Sequence, residues 1–322
     1  MKSFSDYSAH IEKVIRDIEL PGGDFAGLYQ PVSYSMSAGG KRLRPALVLM
    51  AADAFGANPG EAEKAAVGIE TFHNFTLVHD DVMDSSEVRR GRPSVYAKWD
   101  VNSAILSGDT MLTLATEYVA QVPDGILRRV LKTFNDMALR VYEGQHLDMD
   151  FERRDEVTLA QYIEMISLKT GALLGASAAI GALIGGASEQ DVRRMYDYGM
   201  KLGIAFQIQD DWLDIFGDAS TFGKPIGGDI NNNKKSYPLL AAYSMSSPEA
   251  EALREAMRLP AGDTKIKVVT NLYTLIDISA KCRAAIAEYS SEAVSALKST
   301  SLSAECREPF RLLVDKLTGR KK

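Results

Sequence analysis

The sequence predicts an all-α fold, a single large helical bundle over residues 1–322. Three observations predict it. Apolar residues recur three and four apart over long segments, notably Ala62 to Met83 and Asp191 to Phe216. Helix-start chemistry recurs: Thr158 to Gln161 and Ser188 to Asp191 fit capping boxes, and Ser247-Pro248-Glu249 fits an N-cap, a first-turn proline and an acidic first turn. Alternating runs of strand type between turns are nearly absent. A length of 322 residues would by itself suggest two domains of ~150 residues. No repeat, low-complexity stretch or linker divides the chain, so one domain is expected.

Taken in order, the N-terminal Met1 to Tyr7 is polar and lacks the apolar run of a signal peptide. Stops follow at Gly56 to Gly60 around Asn58-Pro59, at Val122-Pro123-Asp124-Gly125, at Gly185-Gly186 and at Leu259-Pro260-Ala261-Gly262. The stretch Ala172 to Ala187 is rich in Ala and Gly, interrupted by Ser177, and shorter than the ~20 residues of a membrane span. It reads as a buried helix whose small residues allow close packing, not as a membrane anchor. Lys+Arg minus Asp+Glu is 37 − 43 = −6, so no basic field draws in nucleic acid. Two cysteines, Cys282 and Cys306, stand far apart and outside any metal-ligand spacing. A soluble, cytoplasmic protein is expected.

Two acidic clusters end the two strongest helical segments: Asp80-Asp81-Val82-Met83-Asp84 and Asp210-Asp211-Trp212-Leu213-Asp214. Both read DDxxD. Residues four apart differ by about 40° around a helix, so Asp80 and Asp84 share a face, as do Asp210 and Asp214. Either cluster alone reads equally well as a solvated helix end. Two copies in matching apolar context favour a hard divalent cation with oxygen ligands. Basic residues follow each: Arg89, Arg90 and Arg92, then Lys224, Lys234 and Lys235. Acid for metal with base for phosphate is what diphosphate binding requires. His73 lies seven residues before Asp80, about 20° away on the wheel, and joins its wall; His79 points elsewhere and is structural. Gly39-Gly40-Lys41-Arg42-Leu43-Arg44-Pro45 is not a P-loop, because Arg42 stands where Ser or Thr belongs. Its glycine pair and cations can still meet an anion; alone, it reads as a loop that opens a helix.

These residues resemble the trans-isoprenyl diphosphate synthases, the polyprenyl synthetases, over nearly the whole chain. The resemblance rests on Gly40 to Pro45, His73 through Asp84, Arg89-Arg90-Gly91, Gly144-Gln145, Lys169-Thr170, Phe206-Gln207 through Asp214, Gly223-Lys224, and Lys234 with Tyr237-Pro238. It implies an isoprenoid-synthase bundle around a central apolar cavity. It implies that Asp80, Asp84 and Asp210 bind three Mg²⁺ ions, which hold an allylic diphosphate. Arg89, Lys169 and Lys224 with Lys234 would be its cationic partners, with Thr170 and Gln207 bordering them. Lys41, Arg44, His73 and Arg90 would hold the diphosphate of isopentenyl diphosphate. Asp81, Asp211 and Asp214 would act behind the metals or through metal-bound water.

The implied reaction is ionisation of the allylic diphosphate, attack by the isopentenyl double bond, and proton loss to the released diphosphate. Thr76 and Phe75, four and five residues before the first motif, and Phe72 a turn deeper would set the cavity floor. An aromatic at Phe75 with no insertion in the first motif resembles the geranylgeranyl-forming pattern, so C15 to C20 is expected, leaning to C20. The family is generally homodimeric, so a homodimer is implied. A longer-chain synthase, a terpene cyclase and a regulatory subunit of a two-component synthase are the competing readings. Both intact motifs and the Lys41/Arg44 region argue against the last two. Ser236 replaces a frequent Thr, a mild departure. The basic end Arg320-Lys321-Lys322 could close over the substrate phosphates, but a frayed, solvated tail is the reading favoured for it.

Overall fold

The structure, a computed structural model, describes residues 1–217 and 226–319. Lys224 and the tail Arg320-Lys321-Lys322 lie outside the described residues. The described chain is almost wholly helical, as expected, and divides into two compact units.

Unit 1 comprises residues 1–135, 176–195 and 301–309. Its helices are α1 (Phe4–Arg16), α2 (Ala26–Met36), α3 (Leu43–Ala54), α4 (Pro59–Met83), the short α5 (Val95–Lys98) and α6 (Val101–Val119). It also takes the start of α7 (Asp124–Arg153). α4 packs most extensively on α6 and α3. Ser3 opens α1 with a capping box, and Tyr7 on that helix donates to Asp53 of α3. Pro59 starts α4 at a position where its missing N–H costs nothing. The one departure from pure helix is a hairpin of two two-residue strands, β1 (Val88–Arg89) and β2 (Arg92–Pro93), paired Val88 to Pro93 and Arg89 to Arg92. Arg90 and Gly91 turn it with φ of 53° and 73°. Positive φ at both central residues matches the tight hairpin turn whose twist suits the strands. Strands this short leave no alternation to read, which is why the hydropathy pattern missed it.

Unit 2 comprises residues 136–175, 196–300 and 310–322. The capping box expected at Thr158 opens α8 (Leu159–Ile166), which runs through a π-helical turn, Ser167–Gly171, into α9 (Ala172–Ile184). Ser188 accepts from Asp191 N near the start of α10 (Glu189–Phe216). α11 (Gly228–Asn231), α12 (Tyr237–Tyr243), α13 (Pro248–Ala256), α14 (Asp263–Leu275), α15 (Ile278–Lys298) and α16 (Ala304–Thr318) complete the order. The expected cap at Ser247 accepts from Ala250 N. The unit's core gathers Trp212, Ile208, Tyr237, Leu240, Leu253 and Tyr273 among others. The apolar stretch Leu159–Ile184 is long enough to cross a membrane by composition, but 83% of its apolar window is buried within the protein. It is a core helix built on small residues, as read.

Candidate active site

The open face of α4 is the predicted one. His73, Thr76, Asp80 and Asp84 are partly or fully exposed, while Asn74, Phe75, Val78 and Asp81 between them are buried. Asp84 is the helix C-cap and keeps a helical conformation, so the 40° relation to Asp80 holds. Asp81 turns away from that face. Its carboxylate accepts from Arg89 Nε at 2.9 Å and Nη2 at 2.5 Å, and Arg89 Nη2 also lies 3.6 Å from Asp80. Burial raises the Asp81 pKa, and Arg89 partly offsets it. Asp81 thus aims a cation at the Asp80 wall.

The glycine loop builds a second feature of unit 1. Arg42, with φ of 47°, turns inward and is 3% exposed. Its guanidinium meets Glu12 (2.5 Å), Glu70 (2.6 Å) and the Met36 carbonyl (2.6 Å). This buried charge is paired on every side, as burial demands. It anchors α1, α2 and α4 to the start of α3, and nothing in the sequence spacing distinguished it from its basic neighbours. Two residues on, Arg44 Nη1 donates to His73 Nε2 at 3.1 Å. The Arg44 Nε–H is buried with no partner among the described residues. Burial, with Arg90 repelling and Glu70 opposing, brings the Arg44 pKa down to about 10, so it stays cationic. Burial and then the Arg44 charge push His73 well below its ordinary 6.5, so the imidazole is neutral and accepts. Arg90 Nη1 donates to the Gly39 carbonyl, and its guanidinium lies where a Cβ on Gly40 would be only 3.0 Å away. Gly40, at φ 132°, is thus required twice over. Arg44, His73 and Arg90 form a cationic pocket with an unmet donor; Lys41 is exposed beside them.

Unit 2 carries the second motif. Asp210, Gln207 and Phe206 are partly exposed positions in the last part of α10, while Asp211 and Asp214 are buried. Asp211 Oδ2 accepts from Tyr162 Oη at 2.5 Å and Tyr237 N at 2.9 Å, and Oδ1 accepts from Gln207 Nε2 at 3.1 Å. Thr170 Oγ1 donates to Gln207 Oε1 at 3.2 Å. Asp214 Oδ2 accepts from Asp229 N at 3.0 Å. Burial, then the Asp229 charge, push Asp211 up to about 7 and Asp214 up to about 6. These two carboxylates are tied to the protein and shape the site from behind.

Lys169 sits in the π turn and donates to Asp148 Oδ2 at 2.6 Å. Gly144 explains the close fit: a side chain there would collide with the Lys169 backbone. Lys234 lies 3.8 Å from Asp229. Enclosure would lower its pKa, but Asp229, Asp211 and Asp148 together raise it, so it is a firm cation. Asp148, Asp229 and Tyr162 escaped the sequence reading because their partners lie 21, 5 and 49 residues away in no recurring spacing.

The chain-length residues also lie in unit 1. Phe75 packs against Phe72 (ring centroids 5.5 Å) and His79 (4.8 Å), and Phe72 packs edge-on to Phe134 at 5.4 Å. Thr76 donates to the His73 carbonyl. His79 contacts the Ile105 carbonyl at 3.1 Å, a structural role as read. A separate cavity of about 440 Å³ lies among α1, α2, α4 and α6 and is lined by Thr71, on the side of α4 opposite Asp80.

Comparisons with known proteins converge. A family model described as "Polyprenyl synthetase" matches residues 26–276. The short chain isoprenyl diphosphate synthase of Methanothermobacter thermautotrophicus is 40% identical over 240 residues, 74% of each chain. A solved geranylgeranyl pyrophosphate synthase superposes with a TM-score of 0.94 at 38% identity, covering 100% of both chains. A polyprenyl synthase from Caulobacter crescentus, complexed with calcium and isoprenyl diphosphate, superposes with a TM-score of 0.86 at 28% identity, covering 98% of this chain and 95% of that one.

Proposed function

The chain belongs to the polyprenyl synthetase family and is a short-chain prenyltransferase; from that premise we propose that it condenses isopentenyl diphosphate with dimethylallyl, geranyl or farnesyl diphosphate and stops at C15 to C20, leaning to C20. One observation supports the two-substrate reading: two cations, Arg44 and Arg90, come together against neutral His73, with a buried Arg44 donor unmet among the described residues. A cyclase that ionises one diphosphate has no use for it.

The residues fit a hard divalent cation. Asp80, Asp84 and Asp210 would hold Mg²⁺, three ions per site. Among the described residues no three His, Cys, Asp or Glu groups converge to cage an ion. Carboxylate oxygens are the hard donors that Mg²⁺ takes, and Mg²⁺ keeps further positions for water and phosphate oxygens. Bound there, Mg²⁺ neutralises charge on the departing diphosphate. The chain's own cations do the rest. Arg89, held by Asp81, and Lys169, held by Asp148, with Lys224 and Lys234 pair with the allylic diphosphate. Arg44 and Arg90 with Lys41 hold the isopentenyl diphosphate, and neutral His73 orients Arg44. Thr170 and Gln207 border the allylic side. Phe75, Thr76 and Phe72 close the path of the growing tail. The released diphosphate accepts the final proton, so no side-chain base is needed.

We read residues 1–322 as one catalytic domain, acting as a homodimer in the cytoplasm. Support for the dimer is an exposed apolar run on α6: Val101 (45% exposed), Ile105 (43%) and Leu106 (58%). Two free cysteines suit a reducing compartment.

The deciding experiment incubates purified protein with Mg²⁺, dimethylallyl diphosphate and isopentenyl diphosphate, removes phosphate from the products, and measures chain length by mass spectrometry. A C15 or C20 alcohol is expected. Longer alcohols would make this a longer-chain synthase. Hydrocarbon formed from farnesyl or geranylgeranyl diphosphate without isopentenyl diphosphate would make it a cyclase. Activity only with a second polypeptide would make it a subunit.

A further inference from the structure

We propose that Tyr34, outside the assigned site, is a positioning residue that sets the Arg90 hairpin for isopentenyl diphosphate. The inference rests on the reading that Arg90 binds that diphosphate. A hairpin of two two-residue strands is marginal by itself, so its place is set by what holds it. Asp81 grips the first strand through Arg89. The second strand and the turn are gripped by the end of α2. Tyr34 Oη donates to the Pro93 carbonyl at 2.8 Å. The Arg92 guanidinium lies 4.1 Å from the centroid of the Tyr34 ring, and Lys98 Nζ lies 4.0 Å from it. Trp99 packs edge-on to the same ring at 5.2 Å. Arg92 Nη1 donates on to the Ser37 carbonyl at 3.4 Å, seven residues before Arg44 of the other pocket wall, which is reached through Gly39 and Gly40. One aromatic ring thus gathers the second strand of the hairpin and the residues at the end of α5, and joins them to α2, the helix that leads into the glycine loop. Arg90 sits at the turn so held, with its guanidinium against Gly39 and Gly40. Arg89 and Arg90 are fixed differently. Arg89 is oriented by Asp81 whatever Tyr34 does, whereas Arg90 depends on the Tyr34 side.

This difference gives the test. Steady-state kinetics with each substrate varied would compare wild type, Tyr34→Phe, Tyr34→Leu, Arg90→Gln and the double variant Tyr34→Leu/Arg90→Gln. Tyr34→Leu should raise the KM for isopentenyl diphosphate about 10-fold, the worth of two lost cation–ring contacts. The kcat and the KM for the allylic substrate should stay within about 2-fold. Tyr34→Phe keeps the ring and should recover most of the loss, which also guards against misfolding of the leucine variant. The double variant should be no worse than Arg90→Gln, because residues acting through one another are not additive. Equal rises in both KM values, a fall in kcat alone, or additive losses would overturn the positioning role while leaving Arg90 in its place. An Arg90→Gln enzyme with unchanged KM would instead remove the premise, and the inference with it.

Discussion

Arg44 Nε–H is buried with no acceptor among the described residues, which a stable protein tolerates where something else supplies one. The expected supplier is a diphosphate oxygen. Arg44→Gln should therefore raise the KM for isopentenyl diphosphate by about 10- to 100-fold, the range of a charge-assisted hydrogen bond, measured by initial rates at saturating allylic substrate. His73 makes a prediction of opposite kind. Its folded pKa lies well below 6.5, so below pH 6.5 the unfolded chain takes up a proton that the folded one refuses. The unfolded state then binds more protons, so stability falls as pH drops. Urea unfolding at pH 5.5 and 7.5 should show that loss in wild type and a smaller one in His73→Gln. At the tail end, Phe75→Ala should lengthen the product by opening the path as far as Phe72, which packs behind it. An unchanged alcohol length in the assay above would remove Phe75 from the account.

At the scale of elements, the joins decide where charges point. The π turn Ser167–Gly171 inserts an extra residue per turn and so rotates Lys169 relative to α8, a device common at functional sites. It works because Gly144 lets the Lys169 backbone approach α7. Gly144→Ala should lower the melting temperature and cost about 1–3 kcal/mol, the usual penalty for overpacking; calorimetry would read it, with kcat falling in the same variant. At the end of α10, burial and Asp229 raise Asp211 to about 7 and Asp214 to about 6, so near pH 6 both carry part of a proton that a cation at the neighbouring Asp210 would displace. Addition of Mg²⁺ to metal-free protein at pH 6 should release protons, seen as a binding heat that scales with buffer ionisation enthalpy. Asp211→Asn should diminish it. The sequence showed these elements well where they were long. It marked Gly144-Gln145 and Lys169 without the reason that joins them, because the contact spans 25 residues and leaves no periodic trace.

For the molecule as a whole, each compact unit holds one aspartate motif and its cations. The dimer reading belongs to this scale. Ile105 and Leu106 are exposed on a helix whose other face packs on α4, and soluble monomers seldom leave such apolar neighbours bare. Ile105→Glu with Leu106→Glu should halve the mass seen in sedimentation equilibrium; an unchanged mass would move the interface elsewhere. The all-α class was legible because helical hydropathy period, caps and stops act within a few residues of each other.

What the sequence by itself determined was therefore local. It set the helices, the pairing of Asp80 with Asp84 and of Asp210 with Asp214 on shared faces, His73 on the first of those walls, and the motifs that place the chain in its family. Tertiary structure alone decided which charges are spent on the scaffold and which stay partly open or keep an unmet donor. Arg42 and Arg44 are two residues apart and both basic, yet one is closed off by Glu12, Glu70 and Met36 while the other keeps an unmet donor. Likewise Asp210 stands partly open while Asp211, beside it, is tied to Tyr162, Gln207 and Tyr237. The reason is physical: helix geometry follows from short-range spacing, whereas the protonation and partners of a charge depend on which distant groups the packed chain brings within about 3 Å of it.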